Sequence, residues 1–364
     1  MLEMADIFRQ YGPAYEAKYK GRMLPSHKRA MDDIVNCRTP ALGGQVYECS
    51  DCHEQDYSYH SCMNRHCPKC MNDQAEEWLQ KQKKSLLPVP YFLVTFPLPA
   101  ELRKPARSHQ KVFYDIAFKA SAEAMQKLAR DPKYIGGEIG LMGVLHTWKR
   151  DLNYHPHIHY LVPAGGISED HSQWQRVKND FFLPVKALSK IFRAKFRDAL
   201  KEKAPELFNQ VPSQVWRKDW VVHCKPVGSG KEVLKYLAPY VFRVALSNRR
   251  LVKLENDQVT FRYKDSKSNN WHFITLPVFK FISQFLQHVL PRGFKKVRHY
   301  GFLSSKHKET LALLQYILGT VEDEAEEEPT HEPLRHICPE CGKKMIVVGT
   351  IPRTDRAPPL SVTV

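Results

Sequence analysis

No stretch of about 18 consecutive apolar residues occurs in this 364-residue chain, so the sequence offers no membrane-spanning helix. The opening run MLEMADIFRQYG places acidic and polar residues where a secretory signal needs an apolar core, and a cytoplasmic protein is expected. No segment of about 20–50 residues repeats, which excludes solenoid and propeller arrays. Acidic residues are the minority, 39 Asp and Glu against 55 Lys and Arg, for a net charge of +16. The run EDEAEEE (Glu322–Glu328) concentrates six of those 39 acidic residues, so the remainder is more basic than the total. Such a field attracts polyanions, nucleic acid first, although a merely soluble basic protein carries the same signature.

What is present is enough to fold, since hydrophobic residues make up 43%. Nine cysteines, an odd number and mostly close-spaced, point to zinc rather than to disulfides in a cytosolic chain. The pattern of apolar residues gives a helix near Met71–Lys84, a strand at Tyr91–Pro99 and a helix over Ser108–Leu128. Two strands follow, Gly143–Arg150 and His157–Pro163, joined by a polar link containing Asp151 and Asn153 that suits a hairpin. Lys186–Lys203 reads as a basic amphipathic helix, Asp219–Val227 and Gln258–Asp265 as strands, and Pro277–Leu290 as a helix. The expected organisation is a zinc-binding, DNA-contacting module at 1–85, a core at 86–250 and a basic region at 251–318. An acidic linker at 319–333 and a tail at 334–364 with one Cys-x-x-Cys complete it.

Cys49-x2-Cys52 and Cys67-x2-Cys70 are two tight turns that together supply the four tetrahedral ligands of a structural zinc. Such a staple suits a segment with little apolar core. His27, Cys37, Cys62 and His66 are candidates for a second zinc, with irregular spacing. The tail pair Cys338/Cys341 lacks a partner pair; His331 and His336, or another chain, could complete it.

His157 and His159 sit two apart, so on a strand their imidazoles share a face and can converge on a divalent cation. His146, on the strand paired with this one, is the candidate third ligand. His155 has the same parity but stands beside Pro156 at the strand entry and is the weaker candidate.

Further on, Ser229 and Glu232 form a capping-box pattern, and Tyr236 and Tyr240 then lie at i and i+4 on one helical face. Two tyrosines at that spacing are ordinarily packing residues. Beside a divalent cation they could act as successive nucleophiles on phosphorus, with Lys231, Lys235 or Arg243 stabilising developing charge. Pro239, between them, would kink the helix and make the two phenols inequivalent.

An ordered set of motifs then carries a resemblance. CRTPALGG and RHCPKC, LHTW with HPHIH, WVVHCKP, YLAPYVFRVALSN and LPRGFKKVRHYGF run in sequence over about residues 20–315. The chain resembles the bacterial rolling-circle insertion-sequence transposases of the two-tyrosine HUH type, with an N-terminal zinc-binding domain. The resemblance implies an α+β fold: an HUH-endonuclease-like antiparallel sheet with helices on one side, preceded by a small zinc-binding module. It implies cleavage of single-stranded DNA through a 5′-phosphotyrosine, with Tyr236 and Tyr240 as nucleophiles and His157 and His159 as ligands of Mg²⁺ or Mn²⁺, separate from structural Zn²⁺. The expected partners are single-stranded transposon ends and target DNA. Arg292, Lys295, Lys296 and Arg298, in a basic-aromatic stretch, are expected to grip DNA, though a solvated basic loop reads the same way. A plasmid replication initiator or relaxase would share the chemistry. A non-catalytic zinc-dependent DNA-binding protein would leave the histidines and tyrosines without a role.

Overall fold

A computed structural model of the chain describes residues 1–70, 72–177, 181–229, 244–265, 268–319 and 336–354, together with Glu232, Leu234 and Val241. The expected acidic linker lies outside the described residues apart from Gly319. No helix among the described residues is long and apolar enough to cross a membrane.

In chain order the elements are α1 (Met4–Lys18), α2 (Pro25–Asn36), β1 (Gly44–Cys49), β2 (Gln55–Tyr59), α3 (Asn72–Lys83) and β3 (Pro90–Pro97). Then come α4 (Ala100–Ser108), α5 (Gln110–Ala129), β4 (Leu141–Trp148), β5 (Tyr154–Pro163), β6 (Gly165–Ile167), β7 (Trp174–Arg176), α6 (Val185–Lys203) and β8 (His223–Ser229). The remaining strands are β9 (Leu251–Glu255), β10 (Gln258–Lys264), β11 (Trp271–Pro277), β12 (Val297–Tyr300) and β13 (Met345–Ile351). All pairings within the sheets are antiparallel, giving a mixed α+β fold. Two compact units result.

The first unit takes the described residues of 1–70, 244–289 and 336–354. The helix α1 starts where the Asp6 carboxylate accepts the Glu3 N–H at 2.9 Å, and α2 starts on Pro25, where no backbone donor is needed. Phe8 and Tyr15 of α1 meet Phe285 and Phe279 edge-on, each at 5.6 Å, which packs α1 against the helix Val278–Leu286. Two three-stranded sheets accompany these helices, β11-β10-β9 and β13-β1-β2.

The second unit takes the described residues of 72–241 and 290–319. Its five-stranded sheet has the order β12-β4-β5-β3-β8. The central strands are apolar on both faces except at one row. On β5, Pro156, Ile158 and Tyr160 are buried while His155, His157 and His159 are half-buried, which is the two-residue period of a strand separating two environments. The buried set packs beneath α5 and α6, where Phe96 meets Tyr160 at 5.9 Å and Phe192 at 5.0 Å. The other face is not bare: Leu93, Met142, Val144 and Leu161 lie against Trp78 and Leu79 of α3 and against Leu234 and Val241. The helices expected on one side are therefore joined by a smaller apolar cover on the other. β5 begins at Tyr154 rather than at His157, so His155 stands inside the strand.

Gly143 of β4 is opposite Tyr160, whose ring occupies the space a side chain would take. A Cβ there would lie 2.5 Å from that ring and 3.1 Å from Phe118. The Tyr160 hydroxyl is fixed at 2.9 Å from Ser121 Oγ and donates to the Phe118 carbonyl at 3.1 Å, so the ring cannot retreat without breaking buried hydrogen bonds. Gly143→Ala is expected to destabilise the unit by about 1–3 kcal/mol through overpacking, measured by denaturant unfolding followed by tryptophan fluorescence.

Candidate active site

The register of β4, β5, β3 and β8 builds the site. His157 is paired with His146 across one edge of β5, and His159 with Thr95 across the other. Thr95 is in turn paired with His223. Directly paired residues of an antiparallel sheet point the same way, so one face carries His146, His157, His159, Thr95 and His223. The ligand nitrogens of His146, His157 and His159 lie within 4.8 Å of one another.

Neighbouring groups set the tautomers. His157 Nδ1–H donates to the His155 carbonyl at 2.6 Å, leaving Nε2 with its lone pair. His159 Nδ1 is 2.9 Å from Thr95 Oγ1, which orients that ring. Burial pushes His157 down to about 4 and His159 to about 3, so both are neutral at physiological pH. His146, buried, stacks on Trp148 at 5.2 Å and 16°. His155 is also held neutral by burial but stays outside the trio. An open cleft beside the imidazoles is lined by Thr95, His157, His159, Val185, His223 and Lys225, and Lys225 supplies it with a cation that suits a phosphate oxygen.

Tyr236 and Tyr240 lie outside the described residues, as do Pro239, Lys231, Lys235 and Arg243. On either side of the tyrosine pair, Leu234 and Val241 are helical and buried among Leu93, Val144 and Leu161, on the histidine face of the sheet. Lys296 Nζ donates to the Val241 carbonyl at 3.0 Å and lies 5.0 Å from the Trp148 ring that backs His146.

That contact revises the expected DNA grip. Lys296 and Arg298 are engaged inside the unit because β12 is an edge strand of the sheet rather than a loop. Arg298 pairs with Asp115, and its guanidinium lies 4.4 Å from the Phe118 ring and 5.0 Å from Phe294. Arg292 and Lys295 are exposed.

The cysteines also sort differently from expectation. Cys67 and Cys70 join Cys37 and Cys62; Cys49 and Cys52 join Cys338 and Cys341. The expected quartet of Cys49, Cys52, Cys67 and Cys70 does not assemble. The end of α2 brings Cys37 to the Cys67 turn, while the β1–β2 hairpin presents Cys49 and Cys52 to the tail. His27 and His66 belong to neither quartet. His331 lies outside the described residues, and His336 meets the Tyr47 ring edge-on at 3.8 Å. Sulfur separations of 3.4–3.6 Å suit ligands of a shared tetrahedral ion. The signal available in the sequence was parity: the Cys338/Cys341 half-site required a partner pair.

Comparison with known proteins gives two family matches. A family model described as "Putative transposase" matches residues 140–310, and one described as "Transposase zinc-binding domain" matches residues 7–98. "Putative transposase y4qJ" of Sinorhizobium fredii is 40% identical over 337 residues, covering 87% of this chain and 84% of that protein. The chain belongs to the IS91 family of transposases. "Transposase for insertion sequence element IS801" of Pseudomonas savastanoi pv. phaseolicola is 27% identical over 292 residues, 75% of this chain and 69% of that protein. No solved structure matches significantly.

Membership in this transposase family implies DNA as partner. The first family model spans the three histidines and both tyrosines, and the second contains Cys37, Cys62, Cys67 and Cys70, which supports a structural zinc there. Since Arg298 is an internal strut, Arg298→Ala is expected to cost about 1–2 kcal/mol of stability through lost packing and cation–π contact. Lys295→Ala should stay within about 0.5 kcal/mol in the same denaturation assay.

Proposed function

We propose that this transposase cuts and rejoins single-stranded DNA at the ends of its insertion sequence and at the target, through a 5′-phosphotyrosine. The observation that carries the proposal is the anchoring of Leu234 and Val241, which bracket Tyr236 and Tyr240 in the chain, on the face where His146, His157 and His159 converge. On this reading the antiparallel sheet with α5 and α6 beneath it is an HUH-type endonuclease core. The N-terminal module and the exposed Arg292 and Lys295 add grip on the DNA.

The residues present fit a divalent cation. Three imidazoles converge, two of them held neutral by burial, and would hold such an ion beside the open cleft. Held by His146, His157 and His159, Mg²⁺ or Mn²⁺ would supply Lewis acidity toward the scissile phosphate. Thr95 holds the His159 ring, and Lys225 with His223 forms the wall along which the strand lies. A tyrosine phenol loses its proton and forms a bond to phosphorus. The bond from phosphorus to the 3′ oxygen breaks, and that oxygen leaves as a protonated hydroxyl. The phosphodiester energy is kept in the tyrosine ester, so a 3′-hydroxyl can reverse the step without a nucleotide cofactor. Two tyrosines permit two cleavages in succession, as a rolling-circle-like route requires. Similarity to insertion-sequence transposases favours transposition over plasmid replication initiation or relaxation with the same chemistry.

With labelled single-stranded DNA and Mn²⁺, the wild type should form a covalent adduct with the 5′ end in denaturing gels. Tyr236→Phe and Tyr240→Phe together should lower it by more than about a thousandfold; undiminished nicking by that double variant would sink the proposal. His159→Ala should weaken Mn²⁺ binding by more than about a hundredfold and Thr95→Val by about tenfold, read from the electron paramagnetic resonance of free Mn²⁺.

A further inference from the structure

We infer that Cys49, Cys52, Cys338 and Cys341 bind a second zinc ion, which clasps the C-terminal segment onto the N-terminal module as the missing half of a zinc ribbon. Neither family match reaches Cys338 or Cys341.

The two halves are built alike. In the first, Cys49 N–H donates to the Glu54 carbonyl at 2.9 Å and His53 N–H to the Cys49 carbonyl at 3.2 Å. In the second, Cys338 N–H donates to the Lys343 carbonyl at 2.8 Å and Gly342 N–H to the Cys338 carbonyl at 3.0 Å. The fifth residue of each turn, His53 or Gly342, has positive φ, 57° and 72°. The backbone N–H two residues beyond the second cysteine, Glu54 or Lys343, donates to that cysteine's sulfur. Two turns of one design, with Cys52 and Cys338 286 residues apart in the chain, therefore face each other.

The sulfur geometry selects the occupant. Cys49–Cys341, Cys52–Cys338 and Cys52–Cys341 are separated by 3.4, 3.5 and 3.6 Å. A tetrahedral zinc with ligands at about 2.3 Å spaces its sulfurs by about 3.8 Å, while a disulfide needs about 2.05 Å. A set of four thiolates is the soft donor set that zinc takes for structure.

The segment also needs the clasp. Among its described residues the buried apolar side chains are Cys338 and Met345, whereas Ile337, Ile346, Val347 and Val348 are each about half exposed. Pairing of β13 with β1, the His336–Tyr47 ring contact and the bond from Arg353 to the Leu42 carbonyl also attach it, but so small a core does not by itself hold a segment closed against loop entropy. The receiving side is shaped for it: at Gly43, with φ of 70°, a Cβ would lie 2.5 Å from the Ile351 carbonyl.

Metal analysis of the purified full chain tests the clasp. The wild type should carry two zinc ions per chain and Cys338→Ser with Cys341→Ser one. Trypsin should cut that variant after Lys343 and Lys344 at least about tenfold faster than the wild type. One zinc in the wild type, two in the double variant, or equal cutting in both would overturn the inference. Cobalt titration of the metal-free wild type needs no variant. Its thiolate-to-metal absorption should keep rising to two equivalents, and saturation at one would overturn the clasp as well.

Discussion

Everything in the second unit hangs on the registration of β4 against β5. Opposite His157 stands His146, and one residue of slip would turn His146 to the helix side and bury it under α5. The slip is forbidden by what lies beneath. Gly143 receives the Tyr160 ring, and Tyr160 is tied to Ser121 and to the Phe118 carbonyl. The packing of an aromatic core thus fixes the positions of three imidazoles on the opposite face.

The transposase core was largely legible because its information is local. Alternation in HPHIH gave the histidine face, and the polar link at Asp151 and Asn153 gave the hairpin that brings His146 within reach. The expected spans lie within about four residues of the observed elements: β5 extends back to Tyr154 and takes in His155, β8 begins at His223 rather than Asp219, and the helix from Val278 ends at Leu286 rather than Leu290. What periodicity could not show was the use of a charge. Lys296 and Arg298 read as a basic stretch, but their surroundings come from Val241, Trp148, Asp115 and Phe118, all more than 50 residues away in the chain.

Cysteine pairing failed for a related reason. Spacing identifies turns that can hold metal, here Cys49/Cys52, Cys67/Cys70 and Cys338/Cys341. It does not say which turns meet, because that depends on how β1 is flanked. A strand with β2 on one side and β13 on the other joins sequence neighbours to residues from the far end of the described chain.

The alternation on β5 separates two selective pressures along one strand. Ile158 and Tyr160 answer to the packing of α5 and α6, while His157 and His159 answer to whatever occupies the cleft. Changes at the second set leave the hydrophobic seal intact. The same ten-residue strand can therefore exchange its chemistry over evolutionary time without reopening the problem of how the sheet folds.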